Sequence, residues 1–164
     1  MRWLQQVPRV LVRSGITPSC QRFSPSLQRH YSAALTLPPD IAFEELTQKL
    51  ADKQVTLIDV RLPYEHVEVG TIPDSKNVPL QILGLAILQP DEKFAEKRGF
   101  SKPSLDQPLV VTCLAGVRAR TAQLALLGAG YTNVRVYVGS FEDWVEKGGK
   151  VEFPKVEEEE EKEK

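Results

Sequence analysis

Three short apolar runs, separated by segments long enough to form helices, constrain the fold of this 164-residue chain more than any other feature. The runs are "VTLIDV" at 55–60, "QPLVVTC" at 107–113 and "NVRVYVG" at 133–139, and each has the β-branched, apolar character of a buried strand. Strands that alternate with helices pair in parallel and are covered by helices on both faces. The sequence therefore predicts an α/β domain with a parallel sheet.

Helical spacing and capping residues mark the segments between these strands. Asp40 and Ser140 are placed to cap the first turns of two helices, whereas Gly99 and either Gly128 or Gly130 are placed to end two others. The predicted helices are 41–52, 80–89, 91–99, about 118–128 and 140–149.

The first 31 residues have the composition of a targeting segment rather than of folded structure. They hold five arginines and no acidic residue, with serines interspersed. Arg29 stands three residues before the Tyr31–Ser32 peptide bond, a pattern that resembles the processing site of mitochondrial presequences. We therefore predict a transit peptide at 1–31 and a location in the mitochondrial matrix. The alternative is a basic tail with no targeting role.

Charge and hydropathy argue against two classes of protein. Without residues 1–31 the net charge falls from −1 to −6, which gives no support to nucleic-acid binding. No apolar run approaches the roughly 20 residues that span a bilayer, so no membrane association is expected. Residues 154–164, which end in "EEEEEKEK", are predicted to be a disordered acidic tail, with a docking role as the alternative.

Cysteine and histidine counts limit disulfide and metal chemistry. Of the two cysteines, Cys20 lies in the predicted transit peptide, so a processed protein keeps Cys113 alone. His66 is the only histidine beyond residue 31. We therefore expect neither an internal disulfide nor a cysteine-based zinc site.

The segment "CLAGVR" at 113–118 joins a predicted strand directly to a predicted helix. Gly116 lacks the Cβ that would obstruct a tight curl, so backbone amides at the helix start can surround an anion. A cysteine in that field is expected to be a thiolate and a nucleophile, whereas the alternative is a small hydrophobic residue that ends a core strand. Asp59 and Arg61 end another strand at the same sheet edge, where ligands bind in such folds.

Loop length argues against one class of cysteine enzyme. Cysteine-dependent phosphatases place five residues between cysteine and arginine, whereas four residues separate Cys113 from Arg118. Ala119 stands where a phosphatase would need its arginine. The smaller loop suits a smaller anion, such as the terminal sulfur of a persulfide.

Three motifs, in order, resemble those of single-domain rhodaneses, a family of sulfurtransferases. "CLAGVRA" is similar to the family's loop Cys-x-x-Gly-x-Arg-Ser. "DVRLPYEHVEVGTIPDSKNVPL" resembles Asp-Val-Arg-x-x-x-Glu followed by Gly-His-Ile-Pro-Gly-Ala and Asn-Val-Pro. "YVGSFEDWVEKGGKVE" resembles a C-terminal segment with Gly-Gly or Gly-Ser before an aromatic residue and a tryptophan. The resemblance implies a rhodanese domain over 39–153, with a parallel sheet of about five strands and helices on both faces.

This resemblance also implies roles for individual residues. Cys113 would be the nucleophile that accepts sulfur, and Arg118 would pair with Glu65, while Asp59 and Arg61 would brace the loop rather than touch substrate. Phe141, Trp144 and His66 are assigned to packing, with His66 either at the surface or in the core. The backbone that would cradle the persulfide is that of Leu114, Ala115, Gly116, Val117 and Arg118.

Several positions depart from the family pattern. Thr71 replaces its histidine, Asp74 and Ser75 replace Gly-Ala, and Ala119 replaces the serine after the arginine. Thr71, Asp74 and Ser75 are expected to affect loop packing alone. Because Leu114 and Ala115 carry no cation, thiosulfate, a dianion, is expected to be a poor donor.

The implied activity is transfer of a sulfane sulfur from thiosulfate or a persulfide, such as glutathione persulfide, to a thiol or cyanide through a Cys113 persulfide. The expected partners are thus a small-molecule sulfur donor and a thiol acceptor, and the implied reaction requires no metal or organic cofactor. The alternatives are a rhodanese-like module that binds a partner or senses oxidants with little turnover, and a small-loop cysteine phosphatase or arsenate reductase.

Overall fold

A parallel sheet with helices on both faces forms the part of the chain that the computed structural model describes, residues 37–154. The strands are β1 (Thr56–Asp59), β2 (Lys76–Asn77), β3 (Leu109–Thr112) and β4 (Val134–Val136). They are paired in the order β2-β1-β3-β4, all in parallel, which confirms the predicted α/β class. The helices are α1 (Phe43–Ala51), α2 (Pro63–Val69), α3 (Leu80–Ile87), α4 (Asp91–Arg98), α5 (Val117–Gly128) and α6 (Ser140–Glu146).

The sheet has four strands among the described residues, rather than the predicted five or so, because the fifth position stays a single bridge. Ile41 pairs in parallel with Tyr137, and its N–H donates to the carbonyl of Val136 at 2.9 Å. Pro38 and Pro39 precede Ile41 and have no N–H to donate, and α1 begins two residues after Ile41. The pairing therefore cannot extend into a longer strand.

Two apolar cores lie on opposite faces of the sheet. Successive residues of β3 alternate between them, with Val111 in one and Val110 in the other. The first core takes side chains from α3, α4 and α5, and the second takes them from α1 and α6. Phe141 and Trp144 belong to the second core, as predicted. This layering fixes α5 and α6 around the carboxyl end of β3.

The helix ends show which predicted caps form. Gly99 and Gly130 adopt left-handed φ angles of 72° and 100° after their helices, in agreement with the sequence analysis. Neither predicted N-cap forms, however. Asp40 lies two residues before the α1 cap and instead binds Arg120 at 2.7 Å, and the Ser140 side chain makes no bond to the amides of its helix.

Two predicted segments fall outside the described residues. The transit peptide at 1–31 lies wholly outside them, and only Pro154 of the predicted acidic tail lies within them. Within residues 37–154, no helix is long and apolar enough to cross a membrane.

Candidate functional site

Two predicted site segments meet at one edge of the sheet. β1 and β3 are adjacent, with Asp59 in register with Thr112, and the N–H of Val60 donates to the Thr112 carbonyl at 3.0 Å. Cys113 follows Thr112 and Arg61 follows Val60. The carboxyl ends of both strands therefore lie side by side, where ligands bind in open parallel sheets.

Cys113 lies at the base of a short loop between β3 and α5. The residue is 1% exposed, and the N–H of Gly116 donates to its Sγ at 3.1 Å. Gly116 has a φ of 93°, in the left-handed region that favours glycine, and α5 begins at the next residue. Within the described chain, no backbone hydrogen bond uses the N–H groups of Leu114, Ala115 or Val117. These amides are available to an anion at the sulfur.

The first turn of α6 sets the orientation of two peptide units in this loop. The N–H of Phe141 donates to the Cys113 carbonyl at 3.1 Å, and that of Glu142 donates to the Leu114 carbonyl at 3.0 Å. In a trans peptide the C=O and the following N–H point in opposite directions. The N–H groups of Leu114 and Ala115 therefore point away from α6, and neither peptide can flip without losing a bond.

Ser140 also supports the loop, a role that the sequence analysis missed. Its Oγ accepts from the Cys113 N–H at 3.2 Å and donates to the Tyr137 carbonyl at 2.9 Å. Ser140 is fully buried with a φ of 55°, next to Gly139 at 80°. One sequence signal pointed to this backbone: the resembling family has Gly-Gly or Gly-Ser at this place, as expected where the chain is left-handed.

Arg118 and Glu65 form the ion pair that the resemblance implied. Two parallel hydrogen bonds of 2.7 Å join the guanidinium to the carboxylate, and Glu65 Oε2 also accepts from the Leu62 N–H at 2.8 Å. Arg118, and then the Leu62 amide, hold the pKa of Glu65 below its ordinary value although partial burial opposes them. The same bonds to Glu65 raise the pKa of Arg118. The start of α5 is thereby fastened to the start of α2.

Asp59 and Arg61 form a buried pair behind the loop. The Arg61 Nη2 donates to Asp59 Oδ2 at 2.7 Å and to the Gly70 carbonyl at 3.0 Å, and its guanidinium lies 4.1 Å over the Phe141 ring. Burial opposes ionisation of Asp59, but hydrogen bonds from His66 and Arg61 outweigh it and lower its pKa. Within residues 37–154, no hydrogen bond or ion pair joins this pair's side chains to residues 113–118.

His66 packs against the same pair. The side chain is buried, with Nε2 at 3.3 Å from Asp59 Oδ2 and at 3.2 Å from Asn77 Nδ2. Asn77 gives its amide hydrogens to the carbonyls of Asp59 and Arg61 at 3.0 and 2.8 Å. Because both hydrogens are used, the consistent arrangement has His66 Nε2–H donating to Asp59. Of the two placements predicted for His66, the structure shows the packed one.

Thr71, Asp74 and Ser75, three positions that depart from the family pattern, lie in the turn before β2. Thr71 and Ser75 share a hydrogen bond of 2.7 Å between their hydroxyls. Asp74 has a φ of 60°, in the left-handed region, which explains a glycine in the family pattern at that position. These contacts are local to the turn.

Comparisons with known proteins agree with this geometry. The family model for the rhodanese-like domain matches residues 42–147. A mouse protein named thiosulfate sulfurtransferase/rhodanese-like domain-containing protein 3 is 37% identical over 120 residues, which cover 73% of this chain and 76% of that protein. The human thiosulfate:glutathione sulfurtransferase is 34% identical over 110 residues, which cover 66% and 95% of the two chains.

A third relative is known both by sequence and by structure. The mitochondrial thiosulfate sulfurtransferase RDL2 of Saccharomyces cerevisiae is 38% identical over 104 residues, which cover 63% of this chain and 68% of that protein. Its crystal structure superposes with a TM-score of 0.63 and 32% identity, covering 70% of this chain and 94% of the solved one. The chain belongs to the rhodanese-like domain family and is a sulfurtransferase enzyme of the rhodanese type.

Proposed function

We propose that this chain moves a sulfane sulfur from thiosulfate or a persulfide, such as glutathione persulfide, to a thiol or cyanide through a persulfide on Cys113. The observation that carries the proposal is the Gly116 N–H at 3.1 Å from the Cys113 sulfur. Beside it, the N–H groups of Leu114, Ala115 and Val117 have no partner among the described residues. The names of two relatives support thiosulfate as a donor and glutathione as a thiol that takes part.

The first step is attack of the Cys113 thiolate on the outer sulfur of thiosulfate. A bond forms between the two sulfurs, the S–S bond of thiosulfate breaks, and sulfite leaves with the electron pair. With glutathione persulfide as the donor, the leaving group is the glutathione thiolate. The amides of residues 114–117 stabilise the negative charge on the new terminal sulfur.

In the second step an acceptor thiolate or cyanide attacks that terminal sulfur. The bond to Cys113 Sγ breaks, and the thiolate returns to the position where Gly116 donates to it. Arg118 acts through Glu65 to hold the start of α5. Asp59 and Arg61 act on the loop indirectly, because the Arg61 guanidinium packs on Phe141, whose N–H binds the Cys113 carbonyl. We assign these four residues to positioning.

Intact-mass measurement of the full chain tests this function. After separate exposure to thiosulfate and to glutathione persulfide, we expect a gain of one sulfur atom that cyanide removes and that Cys113→Ser abolishes. Comparing the extent of loading by the two donors shows whether the uncharged loop disfavours thiosulfate. No adduct with either donor, in folded protein with a free thiol, would favour the module that binds a partner or senses oxidants.

We also propose that the protein works in the mitochondrial matrix. Support comes from the arginine-rich, acid-free residues 1–31 and from a relative that is named mitochondrial. The domain would then be residues 39–153, followed by the acidic tail at 154–164. Sequencing the N-terminus of the protein recovered from cells should give a start near Ser32, and an intact Met1 in the cytosol contradicts the proposal.

A further inference from the structure

An apolar groove with an acidic rim lies beside the loop that holds Cys113. Two of its lining residues adjoin that cysteine: Leu114 follows it in the chain, and the Phe141 N–H donates to its carbonyl at 3.1 Å. The groove has a volume of about 440 Å³, within the range of ligand sites. It is lined by Val69, Leu114, Phe141, Glu142, Val145 and Glu146.

The lining offers apolar surface to a ligand. Val69, at the end of α2, is 46% exposed, and Val145, on α6, is 49% exposed. Leu114 lies between these helices on the loop itself and is partly buried. An apolar side chain placed here would remove all three from water beside the loop that holds Cys113.

The rim carries two carboxylates that pair with no cation among the described residues. Glu142 and Glu146 are exposed one turn apart on α6, and within residues 37–154 neither side chain forms a hydrogen bond or ion pair. Asp143 lies between them but is engaged, by the Tyr137 hydroxyl at 2.6 Å and by Lys147 at 3.2 Å. The charge that complements this rim is positive.

The spacing of these groups indicates the size of the ligand. An α-helix rises about 1.5 Å per residue, so Glu146 lies about 7.5 Å along α6 from Phe141. An extended peptide covers that distance in about two residues. A peptide can therefore place a cysteine at the loop, an apolar side chain in the groove and a basic side chain at the rim.

We propose that the sulfur acceptor is a cysteine of a polypeptide, with an apolar residue and a lysine or arginine within about two positions of it. Glu142 and Glu146 are the residues that determine this specificity. The inference rests on the proposed function for its chemistry. The acceptor thiol gives its proton to solvent, and its sulfur bonds to the terminal sulfur of the Cys113 persulfide. The bond to Cys113 Sγ breaks, leaving a peptide persulfide and the Cys113 thiolate.

Transfer rates to short peptides test the proposal in the full chain. Cys113 is loaded with thiosulfate, excess donor is removed, and transfer is followed to blocked Cys-Leu-Lys, Cys-Leu-Glu and Cys-Ser-Lys peptides and to glutathione. We expect Cys-Leu-Lys to react fastest, with a preference over Cys-Leu-Glu of about 3- to 10-fold that shrinks as salt is added.

Two matched double variants distinguish an effect of the groove's acidic rim from an effect of the protein's net charge. In Glu142→Gln/Glu146→Gln the ratio of the transfer rate to Cys-Leu-Lys over the rate to Cys-Leu-Glu should fall. Its limit is the ratio set by the intrinsic reactivity of the two peptide thiols. Glu92→Gln/Glu96→Gln makes the same charge change at the same spacing on α4, which packs on the opposite sheet face, and should leave the ratio unaltered. Comparing ratios between proteins cancels differences in thiol reactivity among the peptides.

A binding measurement decides the proposal even if sulfur transfer fails. In the full-length Cys113→Ser protein, the Cys-Leu-Lys peptide should shift the methyl NMR signals of Val69, Leu114 and Val145, and Cys-Leu-Glu should shift them less. Methyl signals that do not shift with either peptide overturn the proposal that this groove binds the acceptor. So does an unaltered rate ratio in Glu142→Gln/Glu146→Gln, or faster transfer to glutathione than to Cys-Leu-Lys. Failure to load Cys113 with either thiosulfate or glutathione persulfide overturns the proposed function instead, while the methyl signals still report on the groove.

Discussion

Cys113 is held at its backbone and at its sulfur by different parts of the chain. Its N–H is bound by Ser140, its carbonyl by the Phe141 amide, and its sulfur by the Gly116 amide. Two of these three contacts cross 27 or 28 residues of sequence. The motif around the cysteine therefore identifies the reactive residue but not the groups that orient it.

Replacing Ser140 tests that orientation. Ser140→Ala keeps the left-handed backbone but leaves the buried Cys113 N–H and Tyr137 carbonyl without their partner. We expect a loss of about 1–3 kcal/mol in the free energy of unfolding, measured in urea, and slower loading of Cys113 with sulfur. Ser140→Gly relieves the backbone cost of a φ of 55° and should lose less stability than alanine. Wild-type stability and loading in Ser140→Ala would contradict the assigned role.

Arg118→Lys tests the ion pair with Glu65. Lysine keeps the charge but cannot form two parallel bonds to one carboxylate, so the start of α5 should shift relative to α2. We expect Cys113 to load with sulfur about tenfold more slowly or worse, because small misplacements at a reacting centre are costly. Arg120→Lys, on the same helix and paired with Asp40, serves as the control and should load normally.

At the scale of elements, the connection from β1 to α2 is held by the ion pairs of two carboxylates, one within the connection and one that reaches α5. Asp59 ends β1 and Glu65 lies in α2, and the pKa of each is held below its ordinary value. Both residues must stay charged for Arg61 and Arg118 to keep their partners. This connection is therefore sensitive to acid.

Acid should weaken the fold through these two groups. A carboxyl whose pKa is lower in the folded state stabilises the protein above its unfolded pKa, and that contribution disappears as the pH falls towards the folded pKa. Urea unfolding midpoints should hold steady near neutral pH and drop below about pH 5. Glu65→Gln should be less stable at pH 7 and show a shallower drop. An equally steep drop in that variant would exclude a contribution from Glu65.

The elements also show how far periodicity predicts structure. The buried strands around 56–59, 109–112 and 134–136 and their covering helices were predicted from local patterns, since alternation and capping are short-range signals. The strand number was overestimated because the two prolines before Ile41 and the start of α1 limit this segment to a single bridge. The Arg135 guanidinium donates to the carbonyls of Pro39 and Asp40 at 2.8 and 2.9 Å, across about 95 residues of sequence.

At the scale of the whole molecule, the segment before α1 belongs to the folded domain. Ile41 is 1% exposed and packs in the second core. A chain that starts at Phe43 should therefore be less stable than one that starts at Ser32 by about 1.5–3 kcal/mol, from the burial of this side chain alone. Urea unfolding compares the two, and equal midpoints would show that Ile41 contributes nothing.

The sequence by itself determined the α/β class, the reactive loop and the family, because each depends on residues that are neighbours in the chain. The spacing from Cys113 through Gly116 to Arg118 is an example. Only the tertiary structure decided that Ser140 binds Cys113, that His66 is buried against Asp59, and that an apolar groove with an acidic rim borders the loop. Those features need contacts between distant segments, and the packing of α2 and α6 around the end of β3 creates them.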